Sequence, residues 1–460
     1  MEELQNIKDE TAGSAAAPDK AEESKTIHPV IRVVVFMAVF CGIMLLLCSI
    51  FEYKNGYMSQ RYELYKNLEP DTVDVVVIGT SGIDRSIIPA KAFENYGITV
   101  YPFSFDGLPC WTVLDVIKEA YRFQNPKVIA LDMRMFTIYD QTKNLNLSTV
   151  RSRRVIDTFD FFSINRFDVI WRTQKFLNYA NNNPFGFDIS LFLSFVQYHD
   201  MWSEEGFNPI KQIGSPESKY LGYYLTKRSI KTVPVEPPYR TDEKEALTTI
   251  VEECLYEILD YCKAEGIELM FVNTPFQMSD MESKRLNTLK DILDERGINY
   301  MCYTDEEWYN INGSIEDRII KNADGTYTIH YYDLVLDYDE WSEAIHFWET
   351  HSINPELHFY DESHLNYEGA VIFSRMFGIY LRDRYGLTDH SGDEKFADWD
   401  SFNKVKKKIK KYRAAVLKEQ NDEVLTQEDL EEMKQEDQEL REEDEQAKES
   451  KEELKKEENK

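Results

Sequence analysis

An α/β fold with a parallel sheet is predicted by three observations on this chain of 460 residues. Short β-branched apolar runs such as VDVVVI and IELMFVN read as strands buried on both faces. Segments with apolar residues at helical spacing alternate with them, which is the βαβ rhythm. Helix-stopping glycines follow those segments at Gly266 and Gly297.

Taken in order, the first set comprises a strand from Val73 to Ile78, a strand from Thr99 to Phe103, a helix from Trp111 to Phe123, and a strand from Val128 to Leu131 after Asn125 and Pro126. The second set starts at Asp242. Leu247, Ile250, Val251, Cys254, Leu255, Ile258 and Leu259 recur at helical spacing up to Gly266, and IELMFVN supplies the fourth strand. Leu286, Leu289, Ile292 and Leu293 line another helix, closed by Gly297, and INYMCY is the fifth strand. Between the two sets, residues 141–240 are rich in Phe, Trp, Tyr and Asn without strand patterning, so they are expected as a helical insertion. Its aromatics are expected mainly in a core, with stacking on sugar rings as the functional alternative.

The ends of the chain belong to other classes. Val33 to Phe51 is an uncharged run of 19 residues, long enough as a helix to cross about 28 Å of hydrocarbon. A cleaved signal peptide has a shorter apolar core and a small-residue cleavage site, which FEYKNGY does not offer. Residues 29–51 are therefore expected as a lipid-bilayer anchor, with 1–28 as a cytoplasmic leader, 52–69 as a linker and 70–395 as one α/β domain outside the cytoplasm. Residues 396–460 are expected as a charged helical or disordered tail: KVKKKIKKYR is densely basic, and EDLEEMKQEDQELREEDEQAKESKEELKKEENK is nearly all charge and cannot bury a core. In KVKKKIKKYR, Val405, Ile409, Tyr412 and Val416 form a narrow apolar stripe, suited either to anionic lipid or wall polymer or to packing on the domain.

The formal charge of −30 argues against nucleic acid as a partner, because such binding needs a basic footprint. No CxxC pair suggests zinc, and Cys110, Cys254, Cys262 and Cys302 read as core thiols. His346, His351, His358 and His364 cluster in sequence, but their spacing fits no common helical zinc pattern. Neither a metal nor a cofactor is expected.

The chemistry-bearing pattern is a serine on a glycine-flanked turn, answered far downstream by an Asp/His pair. Gly79, Thr80, Ser81 and Gly82 follow the first strand, placing Ser81 where open α/β sheets keep their ligands. A serine hydroxyl needs an imidazole to take its proton and a third group to fix that imidazole's tautomer. Asp361 and His364 of DESHLN offer both, in the loop before a helix with an apolar face of Ala370, Phe373, Met376, Phe377, Tyr380 and Leu381. Asp84 and Arg85, next on the turn, are expected as a structural pair.

These residues, GTSGIDRSIIP early and DESHLNYEGA late, resemble the SGNH or GDSL-like hydrolase superfamily, and within it the membrane-anchored bacterial branch that includes DltD-like proteins and partners of membrane-bound O-acyltransferases. The resemblance covers roughly residues 70 to 390 and is specific only at its two ends. It implies a flavodoxin-like parallel sheet flanked by helices, with Ser81, His364 and Asp361 as a catalytic triad. It also implies an esterase or acyltransferase acting on acyl esters of an envelope polysaccharide or teichoic-acid-like polymer, with a membrane-bound O-acyltransferase as partner. The backbone amides of Ser81 and Gly107 would be two oxyanion donors. The family's third donor, an asparagine after the third strand, is absent from LDMRMF, leaving Arg134 or Asn273 as substitutes. That departure keeps a noncatalytic envelope assembly or polymer-binding protein as the alternative.

Overall fold

The computed structural model describes residues 28–50, 56–138, 144–198, 220–305, 309, 318–331 and 334–420. The expected leader up to residue 27, Phe51 and the charged tail beyond 420 lie outside the described residues.

Five parallel strands form one sheet in the order β2-β1-β3-β4-β5: β1 (Val75–Gly79), β2 (Val100–Ser104), β3 (Val128–Asp132), β4 (Leu269–Asn273) and β5 (Asn299–Cys302). All five predicted strands are present, shifted by one or two residues at their ends. The pleat divides each strand between two cores. Val76, Ile78, Ile129, Leu131, Leu269 and Phe271 face one; Val75, Val77, Val128, Ala130, Met270 and Val272 face the other. Because the chain leaves β1 toward β2 on one side and β3 lies on the other, the carboxyl end of β1 is a topological switch point.

The helices in chain order are α1 (Pro29–Ile50), α2 (Gly56–Asn67), α3 (Ser81–Ser86), α4 (Pro89–Tyr96), α5 (Val113–Tyr121), α6 (Arg134–Thr137), α7 (Leu145–Ile156), α8 (Ile164–Ala180), α9 (Ile189–Phe192), α10 (Ser194–Tyr198), α11 (Thr249–Glu265), α12 (Asp280–Arg296), α13 (Trp341–His351), α14 (Tyr367–Tyr385) and α15 (Phe402–Gln420). Among the described residues α1 alone is long and apolar enough to cross a membrane. Gly266 and Gly297 close α11 and α12 in left-handed conformation, as their positions predict, and a Ser279/Glu282 capping box opens α12.

The structure departs from the sequence reading in two places and decides a third between the two readings left open. Residues 56–67, expected within a linker, form α2, whose Met58, Arg61, Tyr62 and Tyr65 are buried at helical spacing against the sheet. A three-stranded antiparallel meander, β6 (Ile319–Lys321), β7 (Tyr327–Tyr331) and β8 (Leu334–Tyr338), carries Ile329 and Tyr331 into the second core. The basic helix α15 is packed on the domain: Phe402, Val405, Ile409 and Tyr412 are buried with Ile88, Tyr223 and Ala370. That stripe is consumed by protein contacts and is not available to lipid. Within the expected helical insertion, residues 144–198 form α7 to α10, whereas residues 220–240 hold no α-helix, only a 3-10 turn at Lys227–Ile230. Residues 141–143 and 199–219 lie outside the described residues. Trp111 stacks on Phe176 of α8 at 3.6 Å between ring centroids.

The turn after β1 tolerates no side chain at Gly79. A Cβ there would lie 2.4 Å from the Asp132 Cβ and 2.5 Å from the Ile83 Cγ1. Gly79→Ala is expected to destabilise the fold by about 1–3 kcal/mol through overpacking, measurable as a lowered urea midpoint with an unchanged slope.

Candidate active site

Ser81 is the first residue of α3, so the strand ends and the helix begins within the two residues Thr80 and Ser81. Asp132 fixes this turn. Fully buried at the end of β3, it accepts from the Thr80 N–H at 3.0 Å and the Thr80 hydroxyl at 2.7 Å, and its other oxygen accepts from the Arg134 N–H at 3.0 Å. Burial pushes its carboxyl above the usual range, against these hydrogen bonds. Asp132 escaped the sequence reading because it falls where an asparagine was sought. The signal was the acidic residue closing an apolar strand beside a threonine-bearing turn.

The second half of the site is a small hairpin of β9 (Phe359–Asp361) and β10 (His364–Leu365), paired Asp361 to His364. Asn366 caps α14 by accepting from the Gly369 N–H at 3.0 Å, which fixes the chain just beyond His364. Several contacts hold the hairpin loop in place. The Ser363 N–H donates to Asp361 at 2.9 Å, the Gln277 N–H donates to the Glu362 carbonyl at 2.8 Å, and the Arg134 guanidinium donates to the Ser363 carbonyl and hydroxyl at 3.2 and 3.1 Å. Tyr360 stacks on the His364 ring at 5.5 Å.

These elements bring together the three residues singled out by sequence. Ser81 Oγ lies 2.9 Å from His364 Nε2, and His364 Nδ1 lies 2.8 and 3.1 Å from the two Asp361 oxygens. A carboxylate only accepts, so Nδ1 carries the proton toward Asp361. In the neutral imidazole Nε2 is then the acceptor for the Ser81 hydroxyl. Burial, the largest influence, holds the His364 imidazole below its ordinary range, with Arg85 and Arg134 adding to the effect and Asp361 opposing it. Desolvation raises Asp361, but its hydrogen bond to His364 prevails and the carboxyl ends below the ordinary range. The resting arrangement is a carboxylate, a neutral imidazole and a hydroxyl, the ionisation state that proton transfer from serine requires.

The other expected residues divide. Arg134 is at the site: besides gripping Ser363, its Nη1 would lie 3.7 Å from a Cβ on Gly82, and its guanidinium covers the Phe276 ring at 4.0 Å. Gly107 sits in a left-handed turn after β2 with φ 66°, where a Cβ would strike Arg151. Asn273 is turned elsewhere. Its amide donates to Thr304 Oγ1 at 3.0 Å and approaches Cys302 Sγ at 3.8 Å, which commits it to the end of β5.

Asp84 and Arg85 form a network beneath Ser81. Arg85 donates to the Ser81 carbonyl at 3.1 Å, to Asp84 at 2.8 Å and to Asp106 at 3.2 Å. Asp84 also accepts from Arg61 at 2.5 Å and Ser104 at 3.0 Å. Asp106 joins three elements, through Arg85, the Tyr57 hydroxyl of α2, and Arg154 of α7, which donates to its backbone carbonyl at 2.5 Å. Burial pushes the Asp106 carboxyl up to about 6, opposed by the charge of Arg154.

His351 and His358 are not at the Ser81 site. Each imidazole is held down to about 4, chiefly by burial, and the His351 Nδ1 faces the Phe347 carbonyl at 2.9 Å. No group of three or more potential metal ligands occurs among the described residues. Comparison with known proteins returns no significant match to a protein-family model, a curated protein or a solved structure.

Proposed function

We propose that this chain is an SGNH-type serine esterase or acyltransferase, held outside the cytoplasm by α1 and acting on acyl esters of a cell-envelope polysaccharide or teichoic-acid-like polymer. The observation that carries the reading is the unbroken hydrogen-bond chain from Ser81 through His364 to Asp361 at the carboxyl ends of a parallel sheet. The envelope substrate and a membrane-bound O-acyltransferase partner rest on the sequence resemblance.

In the first half-reaction His364 Nε2 takes the Ser81 proton as Oγ bonds to the ester carbonyl carbon. The tetrahedral oxyanion is stabilised by the Ser81 amide, with the Gly107 amide and the Arg134 guanidinium as further donors. Collapse breaks the bond to the leaving alcohol, which receives the proton from His364, and the acyl group stays on Ser81. Water or a sugar hydroxyl then gives its proton to His364 and attacks the acyl-serine, and His364 returns that proton to Ser81 Oγ as its bond to the acyl carbon breaks. Hydrolysis and transfer differ only in this acceptor.

The test is covalent labelling of the full-length protein in detergent with a serine-reactive fluorophosphonate. One adduct per chain on Ser81 is expected in the wild type, and none in Ser81→Ala. An unlabelled wild type, or an adduct that survives Ser81→Ala, rules out an activated Ser81. Labelling combined with slow turnover of a small acetyl ester that sugar acceptors accelerate identifies the transferase.

A further inference from the structure

The helical insertion leaves one end apolar and uncovered among the described residues. Phe185 is 94% exposed, Phe187 64% and Ile189 48%, with Tyr179 at 57% where α8 runs into the same loop. A soluble surface rarely gathers so many large apolar side chains unless something else covers them.

The covering partner is indicated by α1. This helix packs against α10, and the Ser194 hydroxyl donates to the Cys48 carbonyl at 2.8 Å, where α1 ends. The Phe187 ring stacks on Phe192 at 5.0 Å, and Phe192 is two positions before Ser194. Phe185 is nine positions before Ser194 and is tied to the same body, since Gln174 of α8 donates to the Gly186 carbonyl at 3.2 Å and accepts from the Asp188 N–H at 2.6 Å. The aromatic loop is thus fixed beside the point at which α1 leaves its apolar stretch.

Resting on the reading of α1 as a bilayer anchor, we propose that Tyr179, Phe185, Phe187 and Ile189 are seated in the headgroup layer of the membrane that α1 crosses. Aromatic side chains favour that layer, where an apolar ring meets lipid and its backbone stays near water. The insertion is then a second foot beside the anchor. Its α7 reaches the Asp106 loop through Arg154, and that loop contacts Arg85 beside Ser81, so the foot holds the site at a fixed height above the lipid. Esters close to the membrane surface are the substrates such a site would reach.

The experiment uses the full-length protein in phosphatidylglycerol/phosphatidylcholine vesicles, with Cys41, the exposed cysteine among the described residues, changed to serine. Single cysteines at Phe185→Cys, Phe40→Cys in α1, and Leu357→Cys, an exposed position elsewhere on the domain, carry an environment-sensitive NBD label. The Phe185 label is expected to emit to the blue of the Leu357 label. It is also expected to be quenched severalfold more by nitroxides near the lipid headgroup, unchanged on tenfold dilution of protein in lipid. Water-like emission with full iodide quenching at Phe185, while Phe40 reports lipid, overturns the inference and leaves the anchor standing. Shielding at Phe185 that disappears on dilution overturns it in favour of a protein partner. An aqueous signal at Phe40 overturns the anchor reading and this inference with it.

Discussion

On the proposed mechanism His364→Ala is expected to lower kcat/KM for a small acetyl ester by about 10⁶-fold, because the group placed to take the Ser81 proton at 2.9 Å is lost. Ser81→Ala should cost about as much, and the double variant little more than either alone, since the two residues act as one unit. Asp361→Asn keeps the shape but removes the acceptor that holds Nδ1 protonated, so it too should fall steeply. The pH profile follows from the same groups. Burial holds the His364 imidazole below its ordinary pKa, and only the neutral ring accepts a proton. Activity should therefore persist below pH 6.5, the usual midpoint for histidine, and disappear as pH falls through the lowered value. Turnover measured across pH 4–8 decides this. A profile that is flat through the acid range, or a His364→Ala variant as active as wild type, excludes the triad.

The sequence shows the sheet well and its surroundings less well, for identifiable reasons. Strands buried on both faces need continuous apolar runs, and Val75–Ile78 and Leu269–Val272 have no alternative use. Helix α2 was concealed by its composition. GYMSQRYELYKN buries Arg61 and three tyrosine or methionine side chains, and an apolar count does not register a buried arginine. The β6–β8 meander mixes charge and aromatics, yet Asp324 and Gly325, with φ 95° at the glycine, mark the turn between its first two strands.

At the site, Ser81, Asp361 and His364 were legible because their residue types and order state a chemistry. What surrounds them was not, since positioning depends on contacts distant in sequence. Asp132 reaches Thr80 across 52 residues, and Arg134 reaches Ser363 across 229. Of the two substitutes for the missing asparagine, geometry separates Arg134, which grips the histidine-bearing loop, from Asn273, which is bound to Thr304.

Arg61→Met is expected to destabilise the fold by about 3–5 kcal/mol, the usual cost of stripping one partner from a buried ion pair. Its guanidinium is nearly inaccessible and engaged at every nitrogen: Nη2 pairs with Asp84 at 2.5 Å, Nη1 donates to the Ser104 carbonyl and hydroxyl at 2.5 and 3.0 Å, and Nε donates to the Gly222 carbonyl at 3.1 Å. Methionine matches the stem but leaves these acceptors without their donor. Asp84 retains Arg85 and Ser104, so part of its charge stays compensated, which sets the cost below that of an isolated buried carboxylate. The effect should extend to the chemistry. Arg85, released from a balanced Asp84, also holds the Ser81 carbonyl, so ester turnover should fall along with stability. Urea unfolding of the full-length protein in detergent measures the first effect, and acetyl ester turnover well below the transition measures the second. Arg61→Met/Asp84→Leu removes this ion pair together, while Arg85 keeps Asp106 and the Ser81 carbonyl, and should recover part of the lost stability, because much of the penalty lies in the orphaned carboxylate. A double variant no more stable than Arg61→Met alone would mean that the Ser104 and Gly222 carbonyls and the Arg85–Asp84 contact, not the Arg61–Asp84 pair, set the value of this cluster.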